Sequence, residues 1–227
     1  MVIGIHFPAT ARFFPEVPMS DASHRKPALN AMQRFAIRAG CLALVASTLP
    51  LVNGRAYAGP ADPPDPPLPE VTVRPTSWQP KFPFPYDASR KDVTDADINA
   101  EREMCQWFNP QYRELLRQID RLGFNLLEAS NDWTVGQIQA QADAVAANID
   151  QAEAFLAPRT QALTQTQDFA GDSHFAIFEG EGFYRLWQDL SNIGVGIKAR
   201  NTAWVNGPSV ERAKHWGSQI HRSHVCD

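Results

Sequence analysis

From Thr94 onward the apolar positions recur at helical spacing. Thr94 with Asp97 predicts a capping box, and Ile98, Cys105 and Phe108 fall on one face of the helix it opens. Asn109-Pro110 predicts the end of that helix and the start of a second, Asn as cap and Pro in the first turn. Tyr112, Leu115, Leu116, Ile119, Leu122 and Leu126 stripe this second helix. "SNDW" reads as a loop, and Thr134 with Gln137 predicts another capping box. Val135, Ile138, Ala142, Val145, Ile149, Ala152 and Leu156 then alternate steps of three and four, a coiled-coil-like seam. Pro158 is expected to kink or stop this third helix, with Leu163 in a short continuation.

The stretch "DFAGDSHFAIFEGEG" is the least helical. Phe175 to Phe178 predicts a short extended piece, and Gly180 and Gly182 mark a turn. Phe183, Leu186, Leu190, Ile193 and Ile197 repeat the three-four stepping, with Gly194 and Gly196 permitting close packing or a distortion. "NGPS" breaks the chain, and Val210, Ala213, Trp216 and Ile220 mark a last helix. Short loops between amphipathic helices, with no strand alternation to build a sheet, predict an all-α antiparallel bundle of about four to five helices over residues 91–227.

Ahead of the bundle the chain changes character. In "MQRFAIRAGCLALVASTLPLVNGRAYAG", Arg34 and Arg38 precede an apolar run from Ala39 to Val52, and Ala56-Tyr57-Ala58 places small residues at −3 and −1. This is the pattern of a secretory signal peptide over residues 32–58, with cleavage expected before Gly59. Fourteen apolar residues span about 21 Å, short of a hydrocarbon core of about 30 Å, so no stable membrane span is expected after cleavage. Cys41 opens the apolar run instead of closing it, unlike a lipoprotein box. Residues 1–31 read as a start-site extension, with Met1, Met19 and Met32 all open as starts. Residues 59–90 read as an arm: ten of the 28 residues 59–86 are proline, which favours extended polyproline II and a semi-rigid spacer. Trp78, Phe82, Phe84 and Tyr86 near its end either dock on the domain or stay exposed for a partner, and docking is the expectation. The stretch "AYAGPADPPDPPLP" resembles the start of small exported proteins of mycobacterial type; the resemblance is limited to leader and spacer and implies no activity.

Export changes the cysteine arithmetic. Cys41 leaves with the leader, and Cys105 and Cys226 remain as an expected structural disulfide. Residues 1–58 carry six of the 21 cations and two of the 25 anions, so the mature chain has a net charge of −8. That balance argues against nucleic acid and anionic membrane as partners. Residues 191–227 are basic, at +3, which predicts a basic last helix on an acidic body.

Candidate chemistry is thin. His215, His221, His224 and Cys226 lack metal-ligand spacing and read as surface histidines beside a bridged cysteine, so no metal and no cofactor is expected. Glu179 and Glu181 flank Gly180 and are candidates for an acid pair of a secreted hydrolase at residues 172–181, where "DSH" also lies; solvated turn carboxylates are the simpler reading. Trp107, Trp133, Trp187, Trp204 and Trp216 could line a cavity for lipid or haem, or pack the core. The reading favoured by the sequence is an exported binding domain with an envelope or extracellular protein partner. Its expected contact surface is His174, Glu179 and Glu181 in the irregular loop, with Trp78 and Phe82 of the arm.

Overall fold

A computed structural model describes residues 63–84, 86–167 and 173–227. The leader, the start-site extension and the first four residues of the arm lie outside the described residues. The described residues belong to the compact unit Gly54–Asp227. The elements are a 3-10 segment Tyr86–Asp92, α1 Asp95–Trp107, a π-helical turn Phe108–Tyr112, α2 Arg113–Glu128, α3 Gly136–Ala162, β1 Gln165–Gln167, β2 Ser173–Phe175, α4 Gly180–Lys198, α5 Thr202–Val205 and α6 Pro208–Ser223. The expected all-α antiparallel bundle with a Cys105–Cys226 disulfide is the observed architecture.

The Thr94–Asp97 capping box forms in both directions. Asn109-Pro110 does not break the helix, contrary to expectation. The backbone stays helical from Asp95 to Glu128, widening to a π-turn at Phe108–Tyr112. A proline in an α-helix removes one hydrogen bond and presses on the carbonyl four residues back, and a widened turn relieves both. Asn109 caps nothing; its amide donates to the Cys226 carbonyl at 3.0 Å. The second expected capping box is also absent. Asp132 takes both the Thr134 N–H and its hydroxyl, at 2.8 and 2.7 Å, and α3 starts at Gly136 behind an uncapped Val135. Pro158 sits inside the last turns of α3 without stopping it.

Cross-links between helices fix the topology. Asp97 accepts the Thr164 N–H, Glu103 pairs with Arg159, and Asn125 bonds Gln141, so the α1–α2 rod runs antiparallel to α3. Ser191–Glu153 and Arg200–Asp143 set α4 antiparallel to α3. Arg212–Asp189 and Gln219–Glu179 set α6 antiparallel to α4, and Lys214–Asp120 returns α6 to the rod. Four rods close a ring, and the basic last helix meets acidic groups on both neighbours. The two seams are buried at its axis: Ala142, Val145, Ile149 and Leu156 from α3 against Leu186, Ile193 and Ile197 from α4 are fully inaccessible. A Cβ on Gly194 would lie 2.8 Å from the Ile149 methyl, so glycine here lets α3 and α4 approach closely.

Between α3 and α4 the structure pairs two short strands, where only a single extended piece was expected. β1 and β2 pair antiparallel, Thr166 opposite His174. Three-residue polar strands carry too little alternation to be read from sequence. The expected extended piece at Phe175–Phe178 is strand only at its first residue, and Gly180 and Gly182 lie in the first turn of α4, not in a separate turn.

The arm corrects the largest expectation. Its described part does not project as a spacer; it lies against α2 and α3. Asn148 of α3 accepts the Leu68 N–H at 2.9 Å and donates to the Pro66 carbonyl at 3.1 Å, and Gln118 of α2 reaches the same carbonyl. Gln111 holds the Pro69 carbonyl. Proline carbonyls without matching N–H groups are thus satisfied by side-chain amides. Asp65 is buried and takes Arg117 and Arg121, each at 3.1 Å, with Gln141 at 3.3 Å. Replacing Asp65 with Ala leaves two guanidinium groups without this anion and should release the arm. The expected result is new proteolytic cleavage between residues 63 and 78 while the bundle stays resistant. An unchanged cleavage pattern would show that the amide clamps suffice alone.

Candidate functional site

The five residues expected to form a contact surface differ in exposure and in their partners. Trp78 docks as anticipated for the arm aromatics: its ring packs on the core and its indole N–H donates to the Val225 carbonyl at 2.7 Å. Phe82 is half-buried with the Arg90 guanidinium 4.5 Å above its ring, whereas Phe84 is 90% exposed. His174 lies exposed on β2. Glu181 is exposed and paired with Arg185 at 3.4 Å. Glu179 is turned inward, in a left-handed conformation (φ 63°) that ends the loop and starts α4. It accepts from the Gln219 amide at 3.1 Å.

Glu179 leads to a site the sequence reading missed. Glu101 on α1 is completely buried, and neither carboxylate oxygen has a hydrogen-bond partner among the described residues. Burial pushes its carboxyl well above the ordinary range, and the charges of Glu179 and Asp97 push it the same way. Glu179 is likewise raised by burial, against the Gln219 bond that lowers it. Burial and both neighbouring charges thus favour the protonated form of Glu101, the direction expected of a buried acid without a partner. Asp97 is fully occupied by Thr94 and the Thr164 N–H. Glu101 is sealed from the surface and so lines no open site.

The histidine-cysteine pattern resolves as surface chemistry. Cys226 is bridged to Cys105, and His224 closes α6 in a left-handed cap with Asp227 at 2.6 Å. Among the described residues no group of three or more His, Cys, Asp or Glu side chains is placed to hold a metal ion. Likewise, no described helix is long and apolar enough to cross a membrane.

The surface feature with binding geometry is an open trough of about 580 Å³ where α4 and α6 meet. From α4 come Glu181, Arg185, Gln188 and Asn192, spaced four, three and four so that one helical face carries them all. Trp187 and Asp189 flank that stripe, and α6 contributes Arg212 and Trp216, one turn apart. Arg212 is fixed by Asp189 at 2.9 Å and by the Ser209 hydroxyl at 3.2 Å. Arg185 is fixed by Glu181 and by the Gln188 carbonyl at 3.2 Å. Burial raises the Asp189 carboxyl above its usual range, and Arg212 opposes that shift. Tyr184 packs edge-on against Trp187, and His215 against Trp216. Two half-buried indoles are thereby held in place beside two pre-formed ion pairs, an arrangement suited to recognition, with no nucleophile–base pair among these groups. A second depression, about 470 Å³, lies along the disulfide beside Trp78, Arg102 and Asn109. No family model matches the chain, and neither a curated protein nor a solved structure matches it.

Proposed function

We propose that the chain is exported, like the small exported proteins of mycobacterial type that its leader and arm resemble, and that it acts as a disulfide-stapled helical binding domain of the cell envelope or extracellular space. The observation that carries this reading is the trough between α4 and α6, where aromatic faces and polar groups are fixed in advance by neighbours. Preorganised groups bind without first losing side-chain entropy. A bridge between Cys105 and Cys226 is consistent with an oxidising compartment.

The alternatives gain less. A lipid or haem between the helices needs room at an axis filled by Leu156, Leu186, Ile149 and Ile193 at zero exposure. A hydrolase at residues 172–181 needs Glu179 and Glu181 on one open surface, and Glu179 faces inward. The test of the binding reading uses the processed chain, residues 59–227, mixed with envelope material isolated from its host. Saturable co-sedimentation, with native protein beginning at Gly59 in the exported fractions, is the expected result. A chain that stays in the supernatant at every load, or an exported chain that keeps its leader, contradicts the proposal.

A further inference from the structure

The trough also carries information about what it binds. We infer that it takes a neutral carbohydrate, a short stretch of polysaccharide lying across α4 toward α6; the inference rests on the binding reading above. Charge is the first argument. The lining holds two carboxylates and two guanidinium groups already matched, Glu181 with Arg185 and Asp189 with Arg212, so its formal charge is zero. A phosphate or carboxylate ligand would meet a carboxylate already set against each guanidinium, which reduces the advantage that unpaired arginines offer anions. A cation meets the mirror-image obstacle. An uncharged ligand meets neither.

The second argument is the mixture of surfaces. A lipid chain would be laid against ion pairs and amides, leaving their polar groups desolvated at a cost. A sugar ring instead presents apolar C–H faces and polar hydroxyl edges. Trp187 and Trp216, half-buried against the core, contribute apolar aromatic surface to the lining, and the stripe from Glu181 to Asn192 contributes donors and acceptors. The third argument is free hydrogen-bonding capacity. The Asn192 side chain makes no hydrogen bond among the described residues, so its amide and carbonyl both face water in the trough. Gln188 spends its carbonyl on Arg185 and keeps its amide donors. An asparagine with both functions open can pair with adjacent hydroxyls of one sugar. The volume, about 580 Å³, lies within the span of small-ligand sites and suits a short oligosaccharide.

The test titrates residues 59–227 with neutral hexasaccharides of glucose, mannose, arabinose and N-acetylglucosamine, read by tryptophan fluorescence and by amide NMR shifts, with hexagalacturonate as the anionic control. At least one neutral hexasaccharide should saturate at millimolar concentration or below, with shifts centred on residues 185–192 and 212–216. Asn192→Ala should weaken that binding about tenfold or more; having no internal bond to lose, it should keep its melting temperature. Trp216→Ala should weaken binding and reduce the fluorescence response, leaving what Trp187 contributes, and Phe124→Ala, exposed on α2, should change nothing. Binding of hexagalacturonate alone, or binding unaffected by Asn192→Ala, overturns the assignment. Saturable sedimentation with envelope that no hexasaccharide competes overturns the carbohydrate assignment alone. Failure of both sedimentation and titration overturns the binding reading with it.

Discussion

Replacing Glu101 with Met should make this protein more stable at neutral pH, by about 1–3 kcal/mol, the cost of leaving a buried polar group unsatisfied. Met is close to Glu in length and reach, so the site stays filled while two orphan oxygens disappear. For a domain of this size each kcal/mol moves the melting temperature by roughly 2–4 °C. The substitution should also change the pH dependence. Glu101, Glu179 and Asp189 all have carboxyls raised above their usual range by burial. A raised carboxyl keeps its proton in the folded state after the unfolded chain has lost it. Its stabilising contribution is therefore complete below the unfolded value, about 4.3 for Glu, and is lost as pH rises through the folded value. The wild-type chain should gain stability when acidified from neutral pH toward that limit, the reverse of ordinary acid denaturation. Glu101→Met should flatten this slope, with its gain shrinking as the pH falls. A destabilised variant, or an unchanged slope in denaturant titrations from pH 4.5 to 8, would refute the account of Glu101 as an unpartnered buried acid.

Glu101 was visible in the sequence to a reader who looked for polar residues on apolar faces. It stands four residues after Asp97 and four before Cys105, on the side that the helix buries. The same signal marks Gln111, Gln118 and Asn148, which share buried stripes with Leu115, Leu122 and Val145. Amides at such positions announce a polar object to be held, here the proline carbonyls of the arm. Composition alone reads that arm as a spacer, because a proline's lack of an N–H says nothing about who satisfies its carbonyl. The seams were legible for the opposite reason: a three-four period sustained over five and seven positions marks one buried face on each helix. At Asn109-Pro110 the local pattern is the same for a new helix start and for a widened turn, and only packing decides between them. Tyr112 stacks on Phe108 at 4.7 Å and its hydroxyl donates to the Ala213 carbonyl, contacts that hold the rod continuous. The trough was half legible. Its α4 stripe follows helical spacing in the sequence, but Arg212 and Trp216 join it only through the antiparallel return of α6.

Removing the disulfide, with Ser at both Cys105 and Cys226, should lower stability by about 2–5 kcal/mol. The half-cystines close a loop with a sequence separation of 121, and their Cα atoms stand 5.1 Å apart. In the chain-entropy model a loop of that length corresponds to roughly 5 kcal/mol, an upper bound on what the cross-link contributes. The loss should have a definite place. Cys226 follows the last turn of α6, and the carbonyls around it are held by the arm and the π-turn: Val225 by the Trp78 indole, His224 by Lys81, and Cys226 itself by Asn109. Without the bridge these contacts must hold the terminus alone. Hydrogen exchange should therefore speed up first in residues 71–82 and 218–227, and Trp78 fluorescence should shift as its indole loses the Val225 carbonyl. The axis built by α3 and α4 takes no part in this clamp, so its amides should keep their protection and helix content should stay near that of the parent. In the parent chain no thiol of residues 59–227 should react with an alkylating agent until reductant is added. A double variant that melts where the parent does, or one that loses its helices throughout, would place the role of the bridge elsewhere: the first outcome would make it dispensable, and the second would make the fold depend on it from the start.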